Sequence, residues 1–495
     1  MASLFAIAFA VIIIYLLKYV GPSLAKYARH VWMTRNIPGP KANWLFGNIL
    51  QFPKEAKDYR DYFLGLATAE MAKGNQVLRL WFLNHVFIYP LDSDAVRAIT
   101  SSTVEINKGE TYNFIQRWLG KGLITISNEP RWHKNRKLLT PAFHFGKLDE
   151  YIETIDVHSK HLIEVIDRKT SENNQIDLYP LIKLCALDVI IDAAMGCQIN
   201  ALENSEQDYV KAVHKFNHLA YIKVMKPYIA IPLVWNYCGY EADTQKALNV
   251  LKNQTKTVVE DRIKQRQEYN DTKPRPDFLD LLLNEYDKGE VSFTEICEEV
   301  DTFMFAGHDT TSHGIAWTLW SLACHPDIQE TLYEELASNF DDKADLSSIK
   351  QKNLKYLDAV IKESLRMFPP VPFVQRELVE DLPMAGYTLP KGAQVTIAPY
   401  FMHHNQNVFP NHMDFDPNNF LGNKELESNA YIPFSSGMRN CIGQRLAQYE
   451  MKITIAYFVL NFKIEADKFK FHENWPSFEI ILQPSQGVPV KIYKR

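Results

Sequence analysis

Cys441 sits in the stretch Phe434-Ser435-Ser436-Gly437-Met438-Arg439-Asn440-Cys441-Ile442-Gly443, whose residue types suit a thiol that binds buried iron. A cysteine thiolate beneath a haem iron pushes electron density onto the metal and favours cleavage of a bound O–O bond, the chemistry of oxygen activation rather than carriage. Each neighbour then has a use. Gly437 permits a tight loop whose backbone N–H groups can face the sulfur, Arg439 can neutralise a propionate, and Gly443 lets the next helix start close to the porphyrin. Phe434 would keep water off the thiolate. A lone cysteine is more often an inert buried thiol; the offsets of Phe434, Gly437, Arg439 and Gly443 set this one apart.

Three further groups of residues have spacings that invite chemistry. Glu295 to His325 runs without proline and carries apolar residues at helical spacing through Phe303, Ala306, Ile315, Leu319 and Leu322, which predicts one long helix. Inside it, Ala306-Gly307-His308-Asp309-Thr310-Thr311 introduces residues that cost up to about 1 kcal/mol each against alanine in a helix interior. One reading is a kinked core helix with a packing glycine. The other is an oxygen groove in which Gly307 leaves room beside the iron, Thr310 holds a proton on dioxygen and Asp309 links the site to bulk protons; Cys441 favours the groove. Trp132 and Arg136 lie four apart, so a helix over Arg131 to Leu139 puts them on one face. Glu363 and Arg366 form an ExxR pair on another helix, ahead of Met367-Phe368-Pro369-Pro370. Lys108 to Phe145 mixes aromatic and aliphatic residues with glycines, which suits either a loop folded over an apolar pocket or an ordinary core segment.

Together these segments resemble the cytochrome P-450 superfamily over about residues 38 to 495. Phe434 to Gly443 matches its haem loop, FxxGxRxCxG, and Glu363 to Pro370 is similar to its ExxR segment. Trp118-Leu119-Gly120 with Gly122-Leu123-Ile124-Thr125, Leu139-Thr140-Pro141-Ala142-Phe143-His144-Phe145 and Glu299-Val300-Asp301-Thr302-Phe303-Met304-Phe305 resemble family 4, known chiefly for hydroxylating the far end of fatty acyl chains. The resemblance implies a haem-thiolate monooxygenase with haem b on Cys441, and propionate contacts from Trp132, Arg136, Arg376 and Arg439. Glu363 and Arg366 would be structural, Asp309 and Thr310 would deliver protons, and Leu119, Phe303, Ala306, Val371 and Phe373 would wall the pocket. Xenobiotics, sterols or other lipids are the alternative substrates. Two departures matter. Asn419 stands where the family usually has a third arginine near the ExxR pair. Ala306 stands where many animal members carry a glutamate that esterifies a haem methyl, so the haem is expected to be noncovalent.

The elements that must position these residues follow from the rest of the 495-residue chain. A net charge of -5 gives no footprint for nucleic acid. The six cysteines are scattered without CxxC spacing, which reads as reduced thiols and argues against zinc or c-type haem. No linker composition interrupts residues 41–495, so one catalytic domain is expected: mainly helical, with small β-sheets from Val77 to Tyr89, Gln394 to Ala398 and Ile480 to Ile492, and haem between the long helix and the cysteine loop. Residues 1–20 contain the apolar run Leu4 to Leu17, with no basic residue before it and Lys18, Lys26, Arg29 and Arg35 after it. That asymmetry predicts an uncleaved transmembrane anchor in the endoplasmic reticulum with the body on the cytoplasmic side; a cleavable signal peptide is the second reading. Residues 21–40 read as a basic linker ending in a Pro38-Gly39-Pro40 hinge. Too little chain follows Cys441 for a flavin domain, which implies a separate NADPH-dependent reductase, with cytochrome b5 as a second candidate donor. Arg131, Lys134, Lys137, Arg439 and Arg445 are the expected docking face. A haem-thiolate isomerase and a noncatalytic haem carrier are the competing classes, and the Asp309-Thr310 pair argues against both.

Overall fold

The computed structural model describes residue 18 and residues 21–143, 147–204, 208–226, 228–269, 276–341, 343, 345–422 and 426–495. The expected anchor falls almost wholly outside the described residues, as do His144 and Phe145. Among the described residues no helix is long and apolar enough to cross a membrane.

The long helix spans Phe293–Cys324, within two residues of expectation. Its start is fixed by a capping box: Ser292 Oγ accepts the Glu295 N–H at 3.2 Å and Glu295 Oε2 accepts the Ser292 N–H at 2.8 Å. From Glu299 to Ala323 nearly every side chain is buried, because other helices cover it all round. Tyr179–Met195 crosses it most closely. Gly307 explains how: a Cβ there would overlap Ile190 Cγ1, so the glycine lets two helices approach. The room expected beside an iron is therefore also demanded by helix packing. The final helix, Gln444–Asn461, begins just past the cysteine loop and packs against the long helix.

The β structure is more divided than the sequence suggested. Val77 to Tyr89 is a hairpin of β1 (Val77–Phe82) and β2 (His85–Pro90), turning where Leu83 takes a φ of 53°. With β3 (Val374–Glu377) and β4 (Gln394–Ile397) it forms a four-stranded sheet in the order β1-β2-β4-β3. β4 runs parallel to β2 and antiparallel to β3, pairing Val395 with both Ile88 and Arg376. Ile480 to Ile492 resolves into Leu482–Pro484 and Pro489–Lys494, which belong to different sheets. A large core spans most helices, and a smaller one fills the space between the four-stranded sheet and its neighbours.

Within the segment read as a basic linker, Gly21–Thr34 form a helix. Arg29 Nη2 pairs with Asp381 Oδ2 at 2.5 Å, and His30, buried, lies 2.9 Å from the Lys391 carbonyl. The Pro38-Gly39-Pro40 segment is pinned as well: the Arg79 N–H donates to Pro38 O at 2.7 Å.

Candidate functional site

The cysteine loop is shaped by its backbone. A single turn of 3-10 helix over Gly437–Arg439 folds the chain back, so that the Cys441 N–H reaches Phe434 O at 3.0 Å. Gly437 has φ 72°, and a Cβ on it would overlap the Thr100 carbonyl oxygen, so both conformation and contact require glycine. Burial pushes the Cys441 thiol up, while the Gly443 N–H and the Arg136 charge pull it back toward the thiolate. Gly443 lines the cavity above, and a Cβ there would meet no protein atom within 4 Å.

That cavity holds about 1490 Å³ of empty space, counting its open mouth. Its wall is largely apolar, with Phe143, Ile190, Phe303, Ala306, Val371 and Val374 among the residues facing it. Phe434, Thr310 and Cys441 share the same space. Two expected wall residues lie elsewhere. Leu119 is fully buried in the main core, and the Phe373 ring packs at 5.5 Å from Phe401 and 5.7 Å from Phe478. Hydrophobicity marks a residue as covered without saying whether protein or ligand covers it.

One side of the cavity gathers cations. Lys108, Arg136 and Arg439 line it together with Tyr112 and Trp132. Arg376 sits one layer back, on β3, bonded to Tyr112. Arg439 lies with its guanidinium 4.0 Å from the centroid of the Trp132 ring and donates to Leu123 O at 3.3 Å and Ile126 O at 2.8 Å, while its Nε is buried without a partner. The Trp132 indole N–H is likewise buried and unpartnered. Burial, Arg376 and Arg136 push Arg439 down to about 9, and burial with Arg376 and Arg439 holds Lys108 well below the usual lysine range. Among the described residues Lys108, Arg376 and Arg439 have no acidic partner. Arg136 differs: it donates to Asn440 O at 3.0 Å and Asn440 Oδ1 at 2.7 Å, so it braces the loop.

A group with an apolar disc, two carboxylates at one edge and a metal facing a thiol fits these residues. The carboxylates would neutralise the Lys108 and Arg439 charges and accept from the orphaned Arg439 Nε and Trp132 Nε1. Iron porphyrin has that form. Lys108 is a member of the site that no sequence pattern marked, because a single lysine in a loop carries no periodicity.

Thr310 faces the cavity with its hydroxyl donating to Ala306 O at 2.7 Å. Asp309 does not reach the cavity. It is fully buried on another side of the helix, 3.0 Å from Lys183 Nζ and accepting from Asn217 Nδ2 at 2.9 Å. Burial alone would raise its carboxyl, but Lys183, His313 and His308 reverse that and hold it far below the carboxylate range. His313 in turn is pushed down to about 4 by burial and lies 2.6 Å from the Tyr179 hydroxyl. Arg439 faces inward and Arg131 is half-buried beside Glu298, whereas Lys134, Lys137 and Arg445 among the expected docking cations are exposed.

Glu363 and Arg366 are completely buried. Arg366 donates from Nε and Nη2 to the two Glu363 oxygens at 2.8 and 2.7 Å, and further to the carbonyls of His403, His412 and Asp414. Asn419 Nδ2 donates to Glu363 Oε1 at 3.2 Å, so the amide keeps a third arm without a third charge.

Comparison with known proteins gives the family. The family model described as Cytochrome P450 matches residues 37–492. The chain is 36% identical to "Cytochrome P450 4c3" of Drosophila melanogaster, covering 94% of this chain and 91% of that protein. It is 32% identical to "Cytochrome P450 4V2" of Homo sapiens, covering 100% of this chain and 96% of that one. "Probable cytochrome P450 4s3" of Drosophila melanogaster matches at 33%, over 97% and 96% of the two chains.

Proposed function

The chain belongs to the cytochrome P450 family and is a monooxygenase, and from that premise we propose that it hydroxylates fatty acids toward the far end of the acyl chain, tethered to the endoplasmic reticulum and fed by a separate NADPH-dependent reductase. The observation that carries this reading is the apolar wall of Phe143, Ile190, Phe303, Ala306 and Val371 in the same cavity as Cys441, with the cations gathered at one side. An alkyl chain desolvates there at no polar cost, worth about 0.8 kcal/mol per buried methylene. The family-4 names of the relatives support the substrate class by likeness.

When bound, the haem supplies the activation of dioxygen. The protein's part is positional and protonic. Cys441 Sγ would hold the iron, Lys108 and Arg439 would neutralise the propionates with Arg376 behind them, and Trp132 Nε1 would donate at the same edge. Phe434 screens the sulfur from water. Thr310 Oγ1 would hold a proton on the cavity side once it turns from Ala306 O. Asp309 is closed to the cavity while paired with Lys183, so a proton passing through it does so when that pair opens. Ala306 has no carboxylate to esterify, which makes the haem noncovalent; acid extraction frees it from the polypeptide. Lys134, Lys137 and Arg445 belong to the exposed surface that meets an acidic electron donor, reductase or cytochrome b5. The first segment of the chain anchors it, with the catalytic domain on the cytoplasmic side.

The test is product analysis after the purified protein, a reductase and NADPH act on a mixed panel of lipids. Oxidation of fatty acids at or next to the terminal carbon supports the proposal. Turnover confined to sterols or xenobiotics replaces its substrate.

A further inference from the structure

Two hydrogen-bonded routes leave a single carboxylate on the long helix and end on the two residues that precede Cys441. Glu299 is fully buried. Its Oε2 accepts the backbone N–H of Leu123 at 3.0 Å, and its Oε1 accepts from Asn135 Nδ2 at 2.7 Å. The carbonyl of the same Leu123 accepts from Arg439 Nη1 at 3.3 Å. Next to Asn135, Arg136 grips Asn440 through both its carbonyl and its side-chain oxygen. One arm therefore runs through the cavity roof at Leu123 to Arg439, and the other through the helix Pro130–Leu139 to Asn440.

We propose that Glu299 is a positioning residue that sets the cavity roof and the cofactor-holding Arg439 as one unit. It touches neither substrate nor haem and acts through Leu123 and Asn135. The proposal rests on the cavity being a haem site. A carboxylate is the residue type this junction needs, since both partners donate, whereas an amide presents only one acceptor. An apolar substrate pressing on Leu123 meets a peptide gripped at both ends: Glu299 holds its N–H side and Arg439 its carbonyl. Occupancy of the roof is thereby transmitted to the side chain that neutralises the cofactor's acid edge.

Asp301 provides the control. It lies on the same helix, is 3% exposed, and accepts from Trp118 Nε1 at 3.1 Å and Thr255 Oγ1 at 2.5 Å. Its partners lie outside the two routes to the cysteine loop. A role confined to stability predicts that the two acids respond alike.

Glu299→Gln and Asp301→Asn holoproteins are compared with the unaltered chain by haem transfer to excess apomyoglobin, by the ferrous–carbonyl spectrum and by unfolding midpoint. Both variants are expected to shift the midpoint. Glu299→Gln alone should release haem roughly tenfold faster, the scale of one lost hydrogen bond to a charged group, and lose part of the thiolate-type carbonyl band. Equal haem release in the two variants overturns the proposal. Should Glu299→Gln not fold, Asn135→Ala cuts one arm alone and must accelerate release too; an unchanged rate there is equally fatal. If the unaltered chain itself lacks a thiolate-type band, the haem-site reading fails instead, which separates the two.

Discussion

Glu363 with Arg366, and Lys108 with Arg376 and Arg439, are both buried clusters of charge, but only the first is complete. Every oxygen of Glu363 and every terminal nitrogen of Arg366 finds a partner within the protein. The second cluster brings cations together with no acid partner among the described residues and leaves Arg439 Nε bare. Burying an unpaired charge is costly, so a chain that keeps one has a ligand to offset it. The closed cluster is satisfied within the protein; the open one is the cluster proposed above to meet the cofactor's carboxylates.

The largest expected effect tests the closed side. Arg366→Ala leaves Glu363 charged in the interior and should lower stability by about 3–5 kcal/mol, read as an early unfolding midpoint in urea. An unmoved midpoint would dissolve the contrast. On the open side the pattern inverts. Arg439→Gln should speed haem release by roughly 10- to 100-fold while shifting unfolding of the haem-free chain by less than about 1 kcal/mol, because the side chain it removes was itself under strain from burial.

A third kind of buried carboxylate sharpens the comparison through pH. Glu299 and Asp301 are bonded mainly to neutral donors, and burial pushes both up to about 7 from 4.5 and 3.8. The folded chain thus keeps protons that the unfolded chain has already released. Their contribution is full below about pH 4 and is lost as pH rises toward 7, on the order of 3 kcal/mol for each group. Unfolding free energies at pH 5 and pH 8 should therefore differ less in a Glu299→Gln/Asp301→Asn double variant than in the unaltered chain; an equal difference would show that these acids titrate normally. The smallest structural effect belongs to Thr310→Ala, which forfeits one hydroxyl bond to Ala306 O, about 0.5–1.5 kcal/mol. Its mark should be chemical, a lower ratio of product to NADPH consumed, and an unchanged ratio would remove Thr310 from proton handling.

Local features were legible in the sequence. The long helix ended where Ser292 and the stretch before Pro326 dictate, and the cysteine loop could be read from five positions, of which Gly437 answers to backbone geometry. What was hidden depended on distant partners. Leu119 and Phe373 are as apolar as true wall residues, and only packing separates the two. Lys108 and Lys183 look like any surface lysine until the fold buries them. Leu83 carries a left-handed turn that its type gives no reason to expect, and it divides the β segment Val77 to Tyr89 into two strands. Asp309 was placed on the right helix and turned from the cavity by a lysine more than a hundred positions away.

The overlap that a side chain at Gly437 would make with the Thr100 carbonyl has a practical corollary for protein engineering. The signature around the cysteine cannot be grafted as a cassette, because its course is moulded against the end of the helix Ser93–Thr100, far upstream in the chain. A designer who transplanted ten residues would carry the sulfur and leave behind its mould.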